Sequence, residues 1–541
     1  MRGTAHRRGR AAGGVLAAGR ALASCVALSL AVSGCVGPNF VPPAAPAVDG
    51  YLPGKLASPN PGAGGPKVAS QHFVSGEAVS ARWWAAFQSE PLNQLIRDSV
   101  NHSPTLQAAE AAIKVAQYNA QAQRSAWAPQ VSGNSQSQQI LQSNAGSVFG
   151  GDLGAVPQTR FSLVTQQLTV SFTPDIWGAN FRSVENLDAI TEQQLFNLEE
   201  AYLTLTSQVV TAAIQEASLR GQIDATNQLI AINGKMLDIL RRQLDKGFGT
   251  RGDVAVQEAA LAQVKATLPP LRKALAQQRN LIAALSGSYA SEGPRETFTL
   301  ANLHLPADLP VSLPSQMIEQ RPDVRAAEEQ LHAASAQIGV ATANLLPTFT
   351  INANGGYTNT LFSSLIAPQS LAWSLVGNAT QTVFDGGTLL HQLQGANDTY
   401  QAAAWTYRGT VIDAVQNVAD TLRAIQADAD ALRAARDFER AAKISLDLAQ
   451  QQFDLGKTNV LLLLTAEQTY LQAKIQVVQA QAARLSDTAA LFQALGGGWW
   501  NRAVPTVEKK LDVGTGATTP IDATDRHEPG LRAYREIFAP D

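Results

Sequence analysis

The chain has 541 residues, of which 45% are hydrophobic and 16% are charged. Residues 1–34 contain five arginines and no acidic residue, so the remainder carries 36 basic residues against 44 acidic ones. This acidic balance argues against a nucleic-acid partner, which requires a basic surface, and the only two cysteines, Cys25 and Cys35, leave no later thiol for a disulfide or a cysteine-based metal site.

The first predicted element is a lipoprotein signal peptide over residues 1–34. A basic start precedes apolar and small residues 21–34, a stretch shorter than the about 20 residues of a membrane span, as is typical of secretory signals. Residues 32–35, Val-Ser-Gly-Cys, resemble the lipobox of bacterial lipoproteins, in which the signal is cut before an acylated cysteine. Cys25 fits more loosely, because Arg20 would interrupt its apolar region. We therefore predict a lipid anchor on Cys35 and a lipidated linker over residues 35–80, with a buried core cysteine as the alternative.

An internal repeat organises the chain from residue 81 onward. SPTLQAAEAAI from Ser103 matches RPDVRAAEEQL from Arg321 at an offset of 218, whereas from Gly178 and Gly387 onward the offset is 209. The difference predicts a loop of variable length within each copy. The repeat gives two units, 81–287 and 316–500, joined by a connector over 288–315 and followed by a polar, disordered tail over 501–541.

Each repeat predicts a proline-bounded helix, two strands, a long helix, a turn and another helix. Apolar residues alternate with polar ones around Val164, Leu168 and Val170, and again from Thr348 to Asn354. Such alternation is typical of a strand with one apolar and one polar face. The strands fit either a sandwich or a membrane barrel. A barrel needs at least about eight strands, so the two strand pairs of one chain would have to combine with those of other chains.

The long helices are predicted over about Ser183 to Lys246 and His391 to Leu455, and each would span about 100 Å. Gly247 and Gly456 follow them, where glycine adopts the left-handed conformation that ends helices. A 4-3 spacing in the second helix predicts a coiled-coil seam. An alanine stripe about 200° away is either a second contact face or simple helix propensity. The seam comprises Val411, Val415, Val418, Leu422, Ile425, Ala429 and Leu432, and the stripe comprises Ala424, Ala427, Ala431 and Ala434.

The sequence contains no pattern that predicts catalysis. The histidines after the signal are scattered, and Gly496–Gly498 lack the Lys-Ser/Thr of a phosphate loop. Arg251–Asp253 spells an adhesion tripeptide but is better interpreted as part of a turn between two helices. We predict neither an enzyme nor a metal or cofactor, apart from the covalent lipid on Cys35.

Four motifs together resemble the TolC-like family of outer-membrane efflux proteins, in its lipoprotein, NodT-type branch. They are CVGPNFVPP from Cys35, RWWAAF from Arg82, QRPDVRAAE from Gln320 and ALGGGWW from Ala494. The resemblance implies a mainly α chain with a transmembrane β-barrel, in which a homotrimer contributes four strands per chain to a twelve-stranded barrel. A long α-helical coiled-coil tunnel would continue the barrel into the periplasm. Val36, where aspartate would signal inner-membrane retention, favours an outer-membrane location.

The same resemblance implies a passive channel subunit of a tripartite efflux pump. Its partners would be a periplasmic adaptor protein, an inner-membrane transporter of the RND type or similar, and outer-membrane lipid. Type I protein secretion is the alternative within the channel class. A periplasmic lipoprotein scaffold without a pore is the alternative outside it, although the alternating strands favour a channel. The sequence names no substrate.

The resemblance also places a gate, or an adaptor contact, at the helix turns Gly247 to Val254 and Gly456 to Leu464. Leu461 falls at the position of the family's leucine ring, and Thr465 falls where many drug-efflux members carry aspartate. Asp253 in the first turn could supply charge instead, with Arg251 as its tether. Exposed turn residues without a gating role are the alternative interpretation. The predicted site residues are therefore Gly247, Arg251, Asp253, Gly456, Leu461 and Thr465.

Overall fold

The computed structural model describes residues 36–48, 50–54, 58, 71–77, 79–142 and 159–502. The predicted signal peptide, Cys35 and nearly all of the predicted tail lie outside these residues. The chain divides into two units, each assembled from three segments. The first comprises 1–43, 113–193 and 327–407, and the second comprises 44–112, 194–326 and 408–541.

Helices and strands follow one another in the same order in both repeats. In chain order they are β1 (His72–Ser75), α1 (Glu90–His102), α2 (Pro104–Arg124), β2 (Gln130–Gln142), β3 (Thr159–Phe172), α3 (Ala179–Asp245), α4 (Arg251–Leu285), β4 (Asp308–Val311), α5 (Pro314–Gln320), α6 (Pro322–Ala343), β5 (Thr348–Asn359), β6 (Leu371–Thr380), α7 (Thr388–Asp454) and α8 (Val460–Ala494). None of the described helices is long and apolar enough to cross a bilayer.

The first unit contains an antiparallel sheet with the strand order β2-β3-β5-β6. The two strands of each repeat pair with each other, and β3 pairs with β5 to join the repeats. Residues 143–158, between β2 and β3, lie outside the described part, whereas the shorter link 360–370 between β5 and β6 forms two short helical turns. The predicted difference in length between the copies therefore falls within the segments that contain the strand pairs.

The long helices α3 and α7 each have 67 residues, and both of their ends differ by the predicted offset of 209. They begin a few residues earlier than the sequence predicted, because aspartates cap them. Asp175 accepts hydrogen bonds from Asn180 N (3.0 Å) and Phe181 N (2.8 Å). Asp385 accepts hydrogen bonds from Gly387 N and Leu389 N, both at 2.8 Å. Such caps satisfy backbone N–H groups that have no partner within the helix.

The helices α4 and α8 also have equal length, 35 residues each. Two residues beyond their ends lie Gly287 and Gly496, whose φ angles are +72° and +86°. A Cβ at Gly287 would lie 2.4 Å from the carbonyl oxygen of His102, and one at Gly496 would lie 2.4 Å from that of Gln320. Since His102 ends α1 and Gln320 ends α5, each repeat packs the same two helix ends together and requires glycine there.

The core of the second unit includes the aromatic motif predicted from residue 82 onward. Trp83 stacks on Phe492 with a ring separation of 5.5 Å and meets Phe87 edge to face at 6.4 Å. A short parallel pair, β1 with β4, lies in the same unit, and the sequence did not predict it. Leu309 of β4 is fully buried, so part of the predicted surface connector contributes to the core.

Six of the seven residues in the seam predicted on α7 are buried in the second unit, and Val415 is half-buried. Val418, Leu422 and Ile425 are at most 1% exposed, and Ala429 and Leu432 are also buried. Of the alanine stripe, Ala427, Ala431 and Ala434 are exposed in the single chain. The seam is thus a packing face within one chain, whereas the stripe is mostly exposed: Ala424 is half-buried, and Ala431 and Ala434 line an open groove with residues of α8.

Candidate functional site

The candidate gate lies in the second unit, at the turns that join α3 to α4 and α7 to α8. Gly247 and Gly456 have φ angles of +75° and +68°, a left-handed conformation that costs other residues about 1–2 kcal/mol. Gly247 N donates to Leu244 O, and Gly456 N donates to Phe453 O, both at 2.9 Å. Both turns therefore close their helices with the same backbone arrangement, as the repeat predicted.

The helices after the turns begin with different caps. Thr250 accepts a hydrogen bond from Asp253 N at 3.1 Å, and the Asp253 carboxylate accepts one from Thr250 Oγ1 at 2.6 Å. The Asp253 carboxylate, proposed as a source of charge, is thus engaged in capping α4. Arg251 is exposed and forms no ion pair within the described residues, so it is not tethered to Asp253 in the single chain. At α8, Asn459 Oδ1 accepts from Leu462 N at 3.0 Å.

Leu461 and Thr465 lie one helical turn apart near the start of α8. Leu461 is 62% exposed, and its carbonyl oxygen accepts a hydrogen bond from Thr465 Oγ1 at 2.9 Å. Exposed large apolar side chains at the end of a helical hairpin are typical of a surface that another chain covers. Phe248, which sequence reasoning missed, is 84% exposed in the first turn. The sequence pattern that could have identified it is a large aromatic residue between two glycines.

An apolar core shared by the four helices supports these turns. Met236 and Leu240 of α3, Ala260 of α4, and Leu446 of α7 pack against α8. On α8, Val460, Leu463 and Leu464 point into this core, whereas Leu461 and Leu462 remain exposed. The run of four leucines at 461–464 is therefore divided between a structural half and an exposed half.

A buried polar cluster lies beside this core and was also missed from the sequence. Glu467 is 1% exposed, and neither carboxylate oxygen has a hydrogen-bond partner among the described residues. Burial raises the pKa of Glu467 to about 7, and the nearby Asn233 amide only partly offsets this effect. Gln257 Nε2 donates to Asn233 Oδ1 at 3.0 Å. The cluster thus holds a carboxyl group that is partly protonated near neutral pH.

An open groove of about 430 Å³ runs between α4 and α8. Amide side chains dominate its wall, with a few aliphatic residues between them, and no charged side chain contributes to it. Its lining includes Gln263, Gln468, Gln472, Gln476 and Gln479. No group of His, Cys, Asp or Glu side chains in the described part of the chain has an arrangement that could hold a metal ion. The surface suits protein contact or solute passage.

The sheet of the first unit has the two faces that the alternation predicted. Register places Val131, Val170, Ala353 and Leu375 in one row of paired residues, and Ser132, Thr169, Asn354 and Ser374 in the next. Because paired residues share a face and successive residues alternate, the first row belongs to an apolar face and the second to a polar face. Leu168 and Trp373, on the apolar face, are 60% and 79% exposed.

The polar face carries no charged residue. Arg160 is the one charged side chain in the four strands of this sheet, and its pairing with Leu141 places it on the apolar face. An exposed apolar face backed by an uncharged polar face is the pattern of a membrane β-barrel wall. Together with long, paired helices, it defines a channel-forming outer-membrane protein.

Comparison with known proteins gives the particular family. Residues 95–288 and 313–497, more than half of the chain, match the family model described as outer membrane efflux protein. The chain belongs to the outer membrane efflux protein family. The two matched segments correspond to the two repeats.

Curated relatives agree along most of the chain. The pyoverdine export outer membrane protein OpmQ of Pseudomonas putida is 28% identical over 425 residues, 77% of this chain and 88% of that protein. The toluene efflux pump outer membrane protein TtgF of Pseudomonas putida is 26% identical over 88% of this chain and 96% of its own length. Nodulation protein T of Rhizobium leguminosarum bv. viciae is 24% identical over 93% of this chain and 98% of its own, and the predicted NodT-type branch is confirmed.

Solved structures share the fold. The Vibrio cholerae outer membrane protein VceC is 25% identical, with a TM-score of 0.70 over 78% of this chain and all of that one. The Campylobacter jejuni CmeC outer membrane channel has a TM-score of 0.76 over 86% of this chain and 95% of that one, at 19% identity. The predicted fold class is confirmed: a duplicated, mainly α chain that supplies four strands to the barrel of a trimeric channel and continues into a helical tunnel. The chain is an efflux channel subunit of the outer membrane that extends into the periplasm.

Proposed function

We propose that the trimer of this chain receives small solutes from a periplasmic adaptor and an inner-membrane transporter of the RND type, and passes them outward without catalysing a reaction. The exposed apolar ends of the hairpins carry this proposal, because they form a surface suited to contact with another protein. The amide-lined groove between α4 and α8 extends that surface along the helices. Energy for transport would come from the inner-membrane partner.

The curated relatives are named for different cargoes, including pyoverdine, toluene and antibiotics. This variety favours a channel whose cargo is selected by the pump to which it is coupled. The uncharged polar face of the sheet fits this role, since it offers no fixed charge for selection. Type I protein secretion is the second candidate, but the names of these relatives give it no support.

The proposed gate is a ring of Leu461 side chains, one from each subunit. Leu461 is 62% exposed in the single chain, and contact between three such side chains would remove apolar surface from water. Thr465 is uncharged, so this position supplies no charge to the ring, and its hydroxyl donates to the helix backbone. Gly247 and Gly456 would hold the turns, while Arg251 and Asp253 form the polar start of α4.

The covalent lipid on Cys35 is the second part of the proposal. The lipobox ends at Cys35, and no other cysteine follows it. Acylation would bind the start of the mature chain to the membrane, with each buried methylene contributing about 0.8 kcal/mol.

The gate can be tested in cells that lack the natural gene and express variants from a plasmid. Leu461→Ala should raise the entry of antibiotics too large for general porins, because the ring loses its apolar contacts. Leu462→Ala is the matched control, since Leu462 is also exposed (49%) but is not the proposed ring residue. Equal sensitivity of the wild type and Leu461→Ala would contradict the gate. Failure of the wild type to restore drug efflux when co-expressed with its adaptor and transporter would contradict the pump assignment.

A further inference from the structure

A buried arginine holds the beginning of the described chain in the first unit. Arg182 of α3 is 2% exposed. Its Nε donates to Val36 O at 3.2 Å, and its Nη2 donates to Gly37 O at 3.3 Å and Asn39 Oδ1 at 2.8 Å. Its Nη1 donates to Glu185 Oε2 at 2.7 Å. All three nitrogens of the guanidinium group are thus used, which a lysine could not reproduce.

The backbone of the same segment fits closely against α6. Gly37 has a φ of +97°, and a Cβ there would lie 2.4 Å from Gly339 Cα. A Cβ at Gly339 would lie 2.7 Å from Arg182 Cγ. Two glycines are therefore required for the segment to lie flat against the helix and the arginine, because neither contact leaves room for a side chain.

Phe40 forms the third contact of the segment. Its ring stacks on His332 of α6 at 4.4 Å, with 13° between the ring planes. His332 lies between two carboxylates, with Nδ1 3.2 Å from Glu329 Oε2 and Nε2 3.2 Å from Glu185 Oε1. These partners raise the pKa of His332, despite its partial burial, and so favour the imidazolium cation beneath the aromatic ring. Glu185 therefore contacts both Arg182 and His332.

The segment begins at the junction between the sheet and the helices. Val36 N donates to Trp177 O at 3.2 Å, and Trp177 Nε1 donates to Pro347 O at 2.8 Å. Trp177 lies between β3 and α3, and Pro347 directly precedes β5. This junction and other strand–helix junctions expose apolar side chains, a composition typical of the membrane–water interface. These are Trp127 (46% exposed), Ile176 (41%), Val383 (94%) and Phe384 (89%).

We propose that Arg182, Glu185, His332 and Gly339 form a seat for residues 36–40, and that this seat fixes the acyl chains of Cys35 in the membrane leaflet beside the strand–helix junctions. The inference rests on the acylation of Cys35 proposed above. Cys35 directly precedes Val36 in the sequence, and Val36 is hydrogen-bonded to Trp177. The seat thus binds a lipidated peptide, and its outer partner is a lipid surface.

Site-directed spin labelling can test the seat in native outer-membrane vesicles. An acylated Cys35 has no free thiol, so Val41→Cys, at a position 75% exposed, would provide a unique labelling site beside the seated segment. The seat predicts an immobilised label in the otherwise wild-type chain. Arg182→Ala should convert it to fast, nanosecond motion. Arg182→Lys should give an intermediate spectrum, because one ammonium group cannot make all the contacts.

Two further variants separate loss of the seat from loss of folding. Gly37→Val changes only the segment and should release the label while the trimer remains intact in mild detergent. Arg124→Ala is the matched control, because it removes an exposed α2–α3 ion pair with Asp188 (2.6 Å) without touching the seat. A label that stays immobilised in both Arg182→Ala and Gly37→Val would overturn the proposal. A mobile label in the chain that carries Val41→Cys but no substitution in the seat would also overturn the proposal.

Two further measurements test the acylation of Cys35 and the position of its acyl chains separately from the binding of residues 36–40. If the chain without an introduced cysteine takes up spin label, Cys35 is not acylated and the lipid proposal fails, whatever the mobility at residue 41. A label at Ile176→Cys should be relaxed more by oxygen, which partitions into lipid, than by a water-soluble nickel chelate. The opposite preference would overturn the placement of the acyl chains at this junction.

Discussion

The two helical hairpin ends share one backbone but differ in chemistry. Their helices have the same lengths, and both turns contain a glycine with a positive φ. The first end continues into Arg251, Gly252 and Asp253, whereas the second continues into a valine and four leucines. Duplication thus preserved the residues that shape the turn, while the exposed side chains diverged. The proposed gate at the second end would use apolar contact, whereas the first end, which exposes Phe248 beside these polar residues, suits contact with an adaptor.

The difference extends about two turns into each following helix, to positions that are equivalent in the repeat. Glu258 of α4 is exposed and lies 2.6 Å from Arg241, whereas Glu467 of α8 is buried and has no cation beside it, only the Asn233 amide. An exposed ion pair contributes little to stability. A buried carboxyl makes the packing of the second hairpin sensitive to pH.

The largest expected effect is therefore at Glu467. Its folded-state pKa is raised to about 7, so the folded protein binds the proton more tightly than the unfolded chain does. Stability should consequently fall as the pH rises from about 5 to above 7, by roughly 2–3 kcal/mol for this group. Glu467→Gln should abolish that fall, as measured by the melting midpoint of the purified trimer between pH 5 and pH 8.

Glu258→Gln is the matched control for this prediction. It occupies the corresponding position, but its side chain is about half exposed and paired, so the pH dependence should remain that of the wild type. Identical pH profiles for Glu467→Gln and the wild type would show that Glu467 is ionised in water-like surroundings.

A smaller and equal effect is expected at the two turn glycines. Gly247→Ala and Gly456→Ala each place a Cβ in a left-handed conformation, with no atom within 4 Å that it would strike. Strain alone should therefore lower the free energy of unfolding by about 1–2 kcal/mol in each variant. Thermal melting of the two variants checks this prediction.

Gly252→Ala provides a control for the glycine variants, because Gly252 lies in the first turn of α4 with a φ outside the left-handed region. It should be neutral or stabilising, by up to about 1 kcal/mol. Clearly unequal losses at Gly247 and Gly456 would show that the two turns differ in more than their exposed side chains.

The smallest effect is expected at the helix caps. Thr250→Ala and Asn459→Ala each remove the side-chain acceptor of a backbone N–H and should cost about 1 kcal/mol or less at these exposed ends. The measurement is hydrogen exchange of the Asp253 and Leu462 amides, which should accelerate in the respective variant. Exchange that stays slow at both amides would mean that other groups satisfy these helix starts.

Much of the fold could be predicted because the repeat is visible as a constant sequence offset between matching residues. The offset of 209 relates the first long helix, the turn after it and the next helix to their equivalents in the second repeat. Gly247 and Gly456 mark the two turns directly. The alternation of apolar and polar residues around Leu168 predicts the two faces of the sheet, even when the paired strands are not known. Such features depend on local periodicity, which is present in one sequence.

The remaining features depend on contacts between distant segments. Strands of four residues, such as His72–Ser75, are too short to show alternation, and β1 pairs with β4 more than two hundred residues later. Arg182 and Glu467 occupy helices in which polar residues are common, so nothing local distinguishes a buried charge from a solvated one. The gating roles of Leu461, Thr465, Asp253 and Arg251 stay predictions, since they concern contacts between subunits.

The absence of charge on the polar face of the sheet has a consequence for permeation. This face consists of serine, threonine, asparagine and glutamine with some apolar residues, such as Phe161 and Leu163, so it holds no fixed charge and creates no Donnan enrichment of cations or anions beside it. Ions passing this wall should carry current in proportion to their mobilities in water, and the current ratio should not change with salt concentration. Among the described residues, charged groups that could select ions lie along the helices and at the turns rather than on this face.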